Sequence, residues 1–316
     1  MPIPLSRRHV LTAFAAGLAG VALSPVAAAA DRDALRLVSL GEGLWAVGGG
    51  AAPVIVLDSG HEHLLVDGGD AAGARALQSL LAREFKGRRI STVFNTHWHW
   101  DRTGANELLA TDGVGLIAHE NTRLWLGAEI RDPWEPRVYP PRPVRARPNQ
   151  TFFYGSNTQE FGGQTLEYGY LPQAHTDGDL YVYFPRQDVL VAGDVVAGTG
   201  YPVVDAATNG WLGGMLSGLK TLLARCSDGT RVIGSGVAPL GQAQLKAQQD
   251  LCFDVLSRIG QSYYKGETRA QFLASAPTKA YDAAHGDPAH FLRTAYDSAW
   301  NHVNEIRRVS RQEWIR

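Results

Sequence analysis

The sequence predicts a four-layer αβ/βα sandwich, an α/β (α+β) fold in which two sheets pack face to face and helices cover both outer faces. Three observations predict it. The chain opens on a meander of short apolar runs, continues as alternating helices and strands, and then brings a second set of strands followed by helices. Because no repeat period or flexible linker divides the two halves, we expect a single domain over residues 31–316 with a C-terminal helical extension.

Short apolar runs separated by glycines fill residues 35–67, a pattern typical of antiparallel strands. Alanine and leucine then recur at helical spacing over residues 71–85, and an apolar, β-branched run at 89–95 predicts the next strand. The first half ends with a helix near 104–109, a strand at 114–118 and a helix from about residue 121.

The second half is expected to contain a second sheet and its covering helices. The predicted strands lie at residues 151–154, 164–170, 180–184, 189–192 and 231–233, and the predicted helices at 212–225 and 242–259. Between the halves, residues 132–148 hold six prolines, which predicts a long loop without regular structure. Such a loop is either a lid over a site or a proline-stiffened connection.

The first thirty residues differ in kind from the rest. Arg7 and Arg8 precede an alanine-rich apolar run, and small residues at 26–30 offer a cleavage point. The apolar stretch at 10–23 is short for a membrane span, so a stable anchor is not expected. Residues 1–30 are therefore predicted to be a cleaved twin-arginine signal peptide, which makes the export machinery a partner and the periplasm the destination.

The amino-acid composition limits the classes of protein to which the chain can belong. Apolar residues make up 45% of the chain and charged residues 19%, which fits a globular protein with a sizeable core. With 30 basic and 31 acidic residues there is no electrostatic footprint for nucleic acid, so a small-molecule substrate is expected. Cys226 and Cys252 are the two cysteines, and they are either buried hydrophobes or a disulfide.

The most informative segment follows the strand predicted at 89–95. His97 and His99, two residues apart at a strand end, can direct both imidazoles to one point, and Asp101 brings a carboxylate to the same place. A pair of histidines at this spacing is weak evidence alone. His61 and His63 show the same spacing in a glycine-flanked turn and are expected at a solvated hairpin tip.

Residues far along the chain add to the evidence for a site at His97 and His99. His175 precedes a predicted strand, and Asp194 follows one. In order, spacing and strand context these residues resemble the metallo-β-lactamase superfamily over roughly residues 35–260. The resemblance implies a first metal site formed by His97, His99 and His175, with Asp101 and Asp194 facing a second.

Three neutral imidazoles and an open position suit a zinc ion, which can lower the pKa of a bound water to about 7 and supply hydroxide. Asp101 would orient that hydroxide or carry its proton to the leaving group.

Two positions depart from the family pattern. Arg102 stands where relatives have a histidine, and its guanidinium cannot ligate a metal. Ser235 stands in the segment where the family has its last histidine. One zinc ion per chain is therefore expected. Arg102 either replaces the second metal, pairing with Asp101 or Asp194 and binding an anionic substrate group, or is an ion-pair partner that fixes the loop.

The remaining histidines and the motif tryptophans are expected to be structural. Trp98 and Trp100 should point away from the metal into the core or the pocket wall, and four histidines are predicted not to bind metal: His119, His285, His290 and His302.

These observations predict a periplasmic, mononuclear zinc hydrolase that attacks a carbonyl-type bond in a lactam, amide, ester or thioester. Two alternatives remain open. His97, His175 and Asp194 could instead hold non-haem iron for an oxygenase, or the chain could be a non-catalytic binding protein derived from an enzyme.

Overall fold

The structure, a computed structural model, describes residues 35–131 and 136–306. The expected signal peptide, residues 1–30, lies outside the described residues. No helix within the described ranges combines the length and the apolar composition needed to cross a membrane.

The first sheet begins with the expected antiparallel meander. In spatial order its described strands are β1 (Arg36–Ser39), β2 (Leu44–Gly48), β3 (Val54–Asp58), β4 (Glu62–Val66), β5 (Arg89–Phe94), β6 (Gly115–His119) and β9 (Gln150–Phe152). Strands β1 to β4 pair antiparallel, whereas β4, β5, β6 and β9 pair parallel. The carboxyl ends of these parallel strands therefore lie at one edge of the sheet.

The second sheet is antiparallel except at its last pair. In spatial order its described strands are β10 (Ser156–Phe161), β11 (Gln164–Tyr170), β12 (Leu180–Phe184), β13 (Val189–Val191) and β14 (Arg231–Ile233), and β13 and β14 run parallel. A separate small hairpin pairs β7 (Ile130–Arg131) with β8 (Val138–Tyr139).

The helices occur in three groups along the chain. Those around the first sheet are α1 (Ala74–Glu84), α2 (Trp100–Thr103), α3 (Asn106–Leu109) and α4 (Glu120–Trp125). Those beside the second sheet are α5 (Leu212–Leu223) and α6 (Gln242–Lys265). The C-terminal group contains α7 (Arg269–Ala274), α8 (Asp282–His285) and α9 (Ala289–Ala299).

Strand alternation builds the layers around the first sheet. Successive side chains on a strand point to opposite faces. Ile55 and Leu57 of β3 thus pack into the core between the sheets, with partners such as Val182 of β12. Val56 of β3 packs on the outer face against α1, where it joins a cluster that includes Leu77.

The outer face of the second sheet is covered by helices. Leu190 and Val232 of this sheet share one buried cluster with three helical side chains, Leu219 of α5, Val255 of α6 and Ala295 of α9. The order of layers is therefore helix, sheet, sheet, helix, which confirms the predicted αβ/βα sandwich.

Three expectations about secondary structure are wrong. The strand expected at 151–154 in the second sheet is β9, Gln150–Phe152, which pairs with β6 at the edge of the first sheet. The proline-rich segment 132–148 is not free of regular structure, because it contains β8 and a 3₁₀ turn at Val144–Ala146. Strand β10 was not expected. Four of its six side chains are exposed and mostly polar, as an edge strand allows, so the apolar periodicity that reveals other strands is missing.

The structure also decides two further expectations, one about His63 and one about the two cysteines. His63 is not at a solvated hairpin tip. It lies on β4, fully buried, with its ring against Phe85 at a centroid distance of 5.1 Å. Cys226 and Cys252 are free thiols, and burial raises the pKa of both.

Helix α5 packs closely against the chain segment that precedes His175, and two glycines on it test this contact. A Cβ at Gly214 would lie 1.9 Å from the carbonyl oxygen of Gln173, whereas a Cβ at Gly218 would meet Ala174 at 3.3 Å. We expect Gly214→Ala to lower the free energy of unfolding by about 3 kcal/mol. Gly218→Ala should change it by less than about 1 kcal/mol, because better helix propensity offsets the tight contact.

Urea denaturation of both variants measures the difference. Equal losses in the two variants would contradict the close packing at Gly214.

Candidate metal centre

His97 and His99 lie on the loop that follows β5, at the carboxyl edge of the first sheet. At the start of this loop, Asn95 exchanges two side-chain hydrogen bonds with Asn106, of 2.8 and 3.1 Å. At its end, the Thr103 hydroxyl donates to the carbonyl of His99 at 3.0 Å. Side-chain bonds at both ends therefore fix the loop that carries the two imidazoles.

His175 comes from the second sheet, on the connection between β11 and β12. The N–H and the hydroxyl of Thr176 both donate to the carboxylate of Asp179 at 2.8 Å, which closes the connection into a turn. The N–H of Leu180, the first residue of β12, donates to the carbonyl of Thr96 at 2.8 Å. This backbone bond joins the two sheets directly beside the site.

Four side chains from these loops converge. One ring nitrogen of each of His97, His99 and His175 and one carboxylate oxygen of Asp194 all lie within 4.8 Å of one another. Asp194 reaches this point from a 3₁₀ turn, Gly193–Val195, immediately after β13. Its Oδ2 lies 3.5 Å from His97 Nε2. The structure thus brings together four of the five residues predicted as metal ligands. These four residues form the ligand group.

The hydrogen bonds of His97 determine which nitrogen is free. Thr96 donates its hydroxyl hydrogen to the carboxylate of Asp67, at 2.9 Å to Oδ2. When Asp67 is ionised, the Thr96 oxygen therefore accepts from His97 Nδ1, which lies 3.1 Å away, and Nδ1 carries the hydrogen. His97 Nε2 therefore carries the free lone pair, and this nitrogen is buried without a hydrogen-bond partner.

The other two histidines are fixed in the same way. His175 Nδ1 lies 2.9 Å from the carbonyl oxygen of Val203, and His99 Nε2 lies 3.0 Å from Asp205 Oδ2. Both partners only accept, so these nitrogens carry the hydrogens. With both rings neutral, His175 Nε2 and His99 Nδ1 face each other as lone pairs at 3.2 Å. A cation between them removes the repulsion of two facing lone pairs, so the site fits a metal ion.

Burial and local charge separate the pKa values of the three histidines. Burial, with His99, His175 and Arg102 nearby, holds the pKa of His97 well below its usual value. Burial also lowers the pKa of His175. Burial alone would lower the pKa of His99 too, but the hydrogen bond and charge of Asp205 outweigh it and raise this pKa. Two of the three rings therefore favour the neutral form that metal binding requires.

Arg102 is buried beside the site, with 3% of its side chain exposed. Its Nη2 donates to Asp194 Oδ1, and its Nη1 lies 3.5 Å from Asp67 Oδ2. Burial alone would raise the pKa of Asp194, but the Arg102 cation outweighs it and lowers that pKa. This geometry supports the ion-pair interpretation of Arg102, because the buried guanidinium faces carboxylates rather than the cavity.

The other two residues of the expected second site lie apart from the ligand group. The Asp101 carboxylate is 38% exposed, and its Oδ2 lies 3.7 Å from Arg102 Nε. The Ser235 hydroxyl accepts a hydrogen bond of 2.7 Å from the N–H of Gly198. Within the described residues, neither side chain joins the group that could hold an ion.

Sequence reasoning missed Asp67 and Asp205, which orient the histidines. Asp67 follows β4 directly, a position that could have indicated a site residue, and burial raises its pKa to about 7. Asp205 lies 106 residues from His99 and has no motif around it. Burial alone would raise its pKa, but the bonds from His99 and Thr208 lower the value to about 2.

A cavity of about 380 Å³ opens on the ligand group. His99, His175, Asp101 and Asp194 are part of its wall on the metal side. The other wall residues are Trp98, Trp100, Ile130, Arg137, Tyr139, Val203, Val204, Asp205, Ala207 and His290. The motif tryptophans therefore belong to the pocket wall, one of the two places expected for them.

The fold resembles several solved structures at low sequence identity. A metallo-beta-lactamase from Pontibacter korlensis aligns with a TM-score of 0.58 and 20% identity, over 70% of this chain and 99% of that one. The metallo-beta-lactamase DIM-1 aligns with a TM-score of 0.56 and 19% identity, over 69% and 97% of the two chains. A double mutant of the sec-alkyl sulfatase PisA1 aligns with a TM-score of 0.66 and 16% identity, over 83% and 50%.

The chain also matches a protein family in its sequence. Residues 47–241, more than half of the chain, match the family described as the metallo-beta-lactamase superfamily. This range contains β3 to β14 and all four residues of the ligand group. The chain therefore belongs to the metallo-beta-lactamase superfamily.

Proposed function

We propose that the chain is a hydrolase that binds one zinc ion through His97, His99 and His175 and cleaves a carbonyl-type bond. The observation that carries this proposal is the convergence of one free ring nitrogen from each of the three histidines. Hydrogen bonds at the opposite ring nitrogens fix the tautomers. Three imidazoles with an open position are typical of catalytic zinc sites. When bound there, zinc supplies a Lewis acid and lowers the pKa of water at the open position.

The same geometry disfavours iron. An oxygenase site would need His97, His175 and Asp194 and would leave His99 as a surplus ligand. His99 Nδ1 lies 3.2 Å from His175 Nε2 and is held there by Asp205, so it belongs to the ligand group as closely as the others.

The acidic side chains of the cavity have separate tasks in this proposal. Asp194 directs Oδ2 toward the histidines while Arg102 holds Oδ1, so it can fix a water or a substrate polar group by hydrogen bonding. Asp101 is partly exposed and lines the cavity, so its carboxylate can accept a proton and pass it to a leaving group.

A single metal ion follows from the position of Arg102. A second ion facing Asp194 would lie beside a fixed positive charge that already binds this carboxylate. Ser235, at the position of a missing ligand, is occupied by its bond with Gly198. We propose, in addition, that the chain reaches the periplasm by the twin-arginine route, as Arg7 and Arg8 suggest.

Metal removal tests the proposed activity. We expect the zinc-loaded protein to hydrolyse at least one of a lactam, a carboxylic ester and a thioester, and a chelator to abolish the turnover until zinc is restored. His175→Ala should lower the rate by at least about 100-fold. His61→Ala, at an exposed histidine outside the site, is the control. Turnover that survives chelation would contradict zinc hydrolysis, and cleavage of a secondary alkyl sulfate alone would contradict the carbonyl class.

The bond between Asp205 and His99 predicts an effect on zinc affinity. Asp205→Asn removes the charge that orients His99, so the zinc dissociation constant should rise about 10- to 100-fold. Competition with a chromogenic chelator measures it. Asp177→Asn is the matched control, because Asp177 is also a buried carboxylate that accepts from a tryptophan Nε1, that of Trp125 at 2.6 Å. Equal losses of affinity in the two variants would indicate a general packing defect.

A further inference from the structure

The cavity beside the ligand group has an uneven distribution of charge. Three carboxylates line it, those of Asp101, Asp194 and Asp205. Among the described residues of its wall, Arg137 is the single lysine or arginine. An anion that enters the cavity therefore meets one cationic side chain of the protein in addition to any bound metal.

Arg137 is held in place by aromatic rings. Its guanidinium carbon lies 5.1 Å from the ring centroid of Trp100 and 4.8 Å from that of Tyr139. Trp98 packs edge-on against Tyr139 at 5.2 Å, so the rings form one continuous wall. Contacts of this kind orient a guanidinium through the faces of the rings and leave its N–H edge for another acceptor.

Neighbouring arginines pair with carboxylates, although Arg142 also lies over the Trp100 ring, at 5.0 Å from its centroid. Arg142 and Arg145 both approach the carboxylate of Glu107, and Arg102 binds Asp194. Among residues 35–131 and 136–306, no carboxylate forms an ion pair with Arg137, and its side chain is exposed. Its charge is therefore available to a ligand.

We propose that Arg137 is a specificity-determining residue that binds a carboxylate of the substrate, while the apolar body of the substrate lies along the cavity wall at Trp100 and Val203. The planar fork of a guanidinium matches the two oxygens of a carboxylate. This inference rests on the proposed function, since it places the carboxylate in the same cavity as the proposed metal centre. The substrate class is thus a carboxylate-bearing amide, ester, thioester or lactam.

Binding of two small probes tests the assignment. Phenylacetate and phenylacetamide have the same shape but differ in charge, and ligand-observed NMR titration of the zinc-loaded protein gives both dissociation constants. We expect phenylacetate to bind at least about tenfold more tightly. Arg137→Gln should remove this preference, and Arg137→Lys should retain part of it, because the charge remains without the planar fork. Arg145→Gln, 67% exposed and outside the cavity wall, should leave it unchanged.

The same titration with His175→Ala separates Arg137 from the metal. A preference that persists in Arg137→Gln but disappears in His175→Ala would assign the carboxylate to the metal and overturn the proposal. A preference lost in Arg137→Gln and kept in His175→Ala would support it, whether or not the protein proves to be a zinc hydrolase. Absence of any preference in the wild type would also overturn it.

Discussion

The metal centre depends on three hydrogen bonds that decide which nitrogen of each histidine is free. Thr96, Asp205 and the carbonyl of Val203 each engage one ring nitrogen, and the opposite nitrogens then meet at one point. Without these bonds the rings could rotate or exchange tautomers, and the lone pairs would not converge. The closest pair of free nitrogens is 3.2 Å apart, a distance that a cation stabilises and that two facing lone pairs do not.

The site depends on the packing of the two sheets, because neither sheet carries all four residues of the ligand group. The first sheet supplies His97 and His99 from the loop after β5, and the second supplies His175 and Asp194 from the connections around β12 and β13. A core of alternating apolar side chains holds the sheets together. The site therefore forms only when both sheets are packed, which couples metal binding to folding. Arg102 joins the halves as well, since it extends from α2, which follows β5 of the first sheet, to Asp194, which follows β13 of the second.

The sequence predicted the layers from strand periodicity. It predicted the ligand group from strand ends, from the spacing of His97 and His99, and from the resemblance to the metallo-β-lactamase superfamily, which implied His175 and Asp194. It failed where the signal depends on distant packing. His63 was expected in solvent because its turn is polar, yet Phe85 of the following helical region buries it. Asp205 contacts His99 across 106 residues and could not be recognised locally. The orientation of Arg137 over aromatic rings likewise requires the hairpin of β7 and β8, which proline-rich sequence conceals.

The central claim is that three histidines bind one zinc ion and that Arg102, by pairing with Asp194, disfavours a second. The most direct measurement is the metal content per folded chain by plasma mass spectrometry, after production of the full chain in the presence of both zinc and iron and after removal of loosely bound ions. The account predicts one zinc ion per chain and no stoichiometric iron. Two zinc ions would contradict the role given to Arg102, stoichiometric iron would contradict the choice of metal, and a metal-free protein would contradict the centre itself.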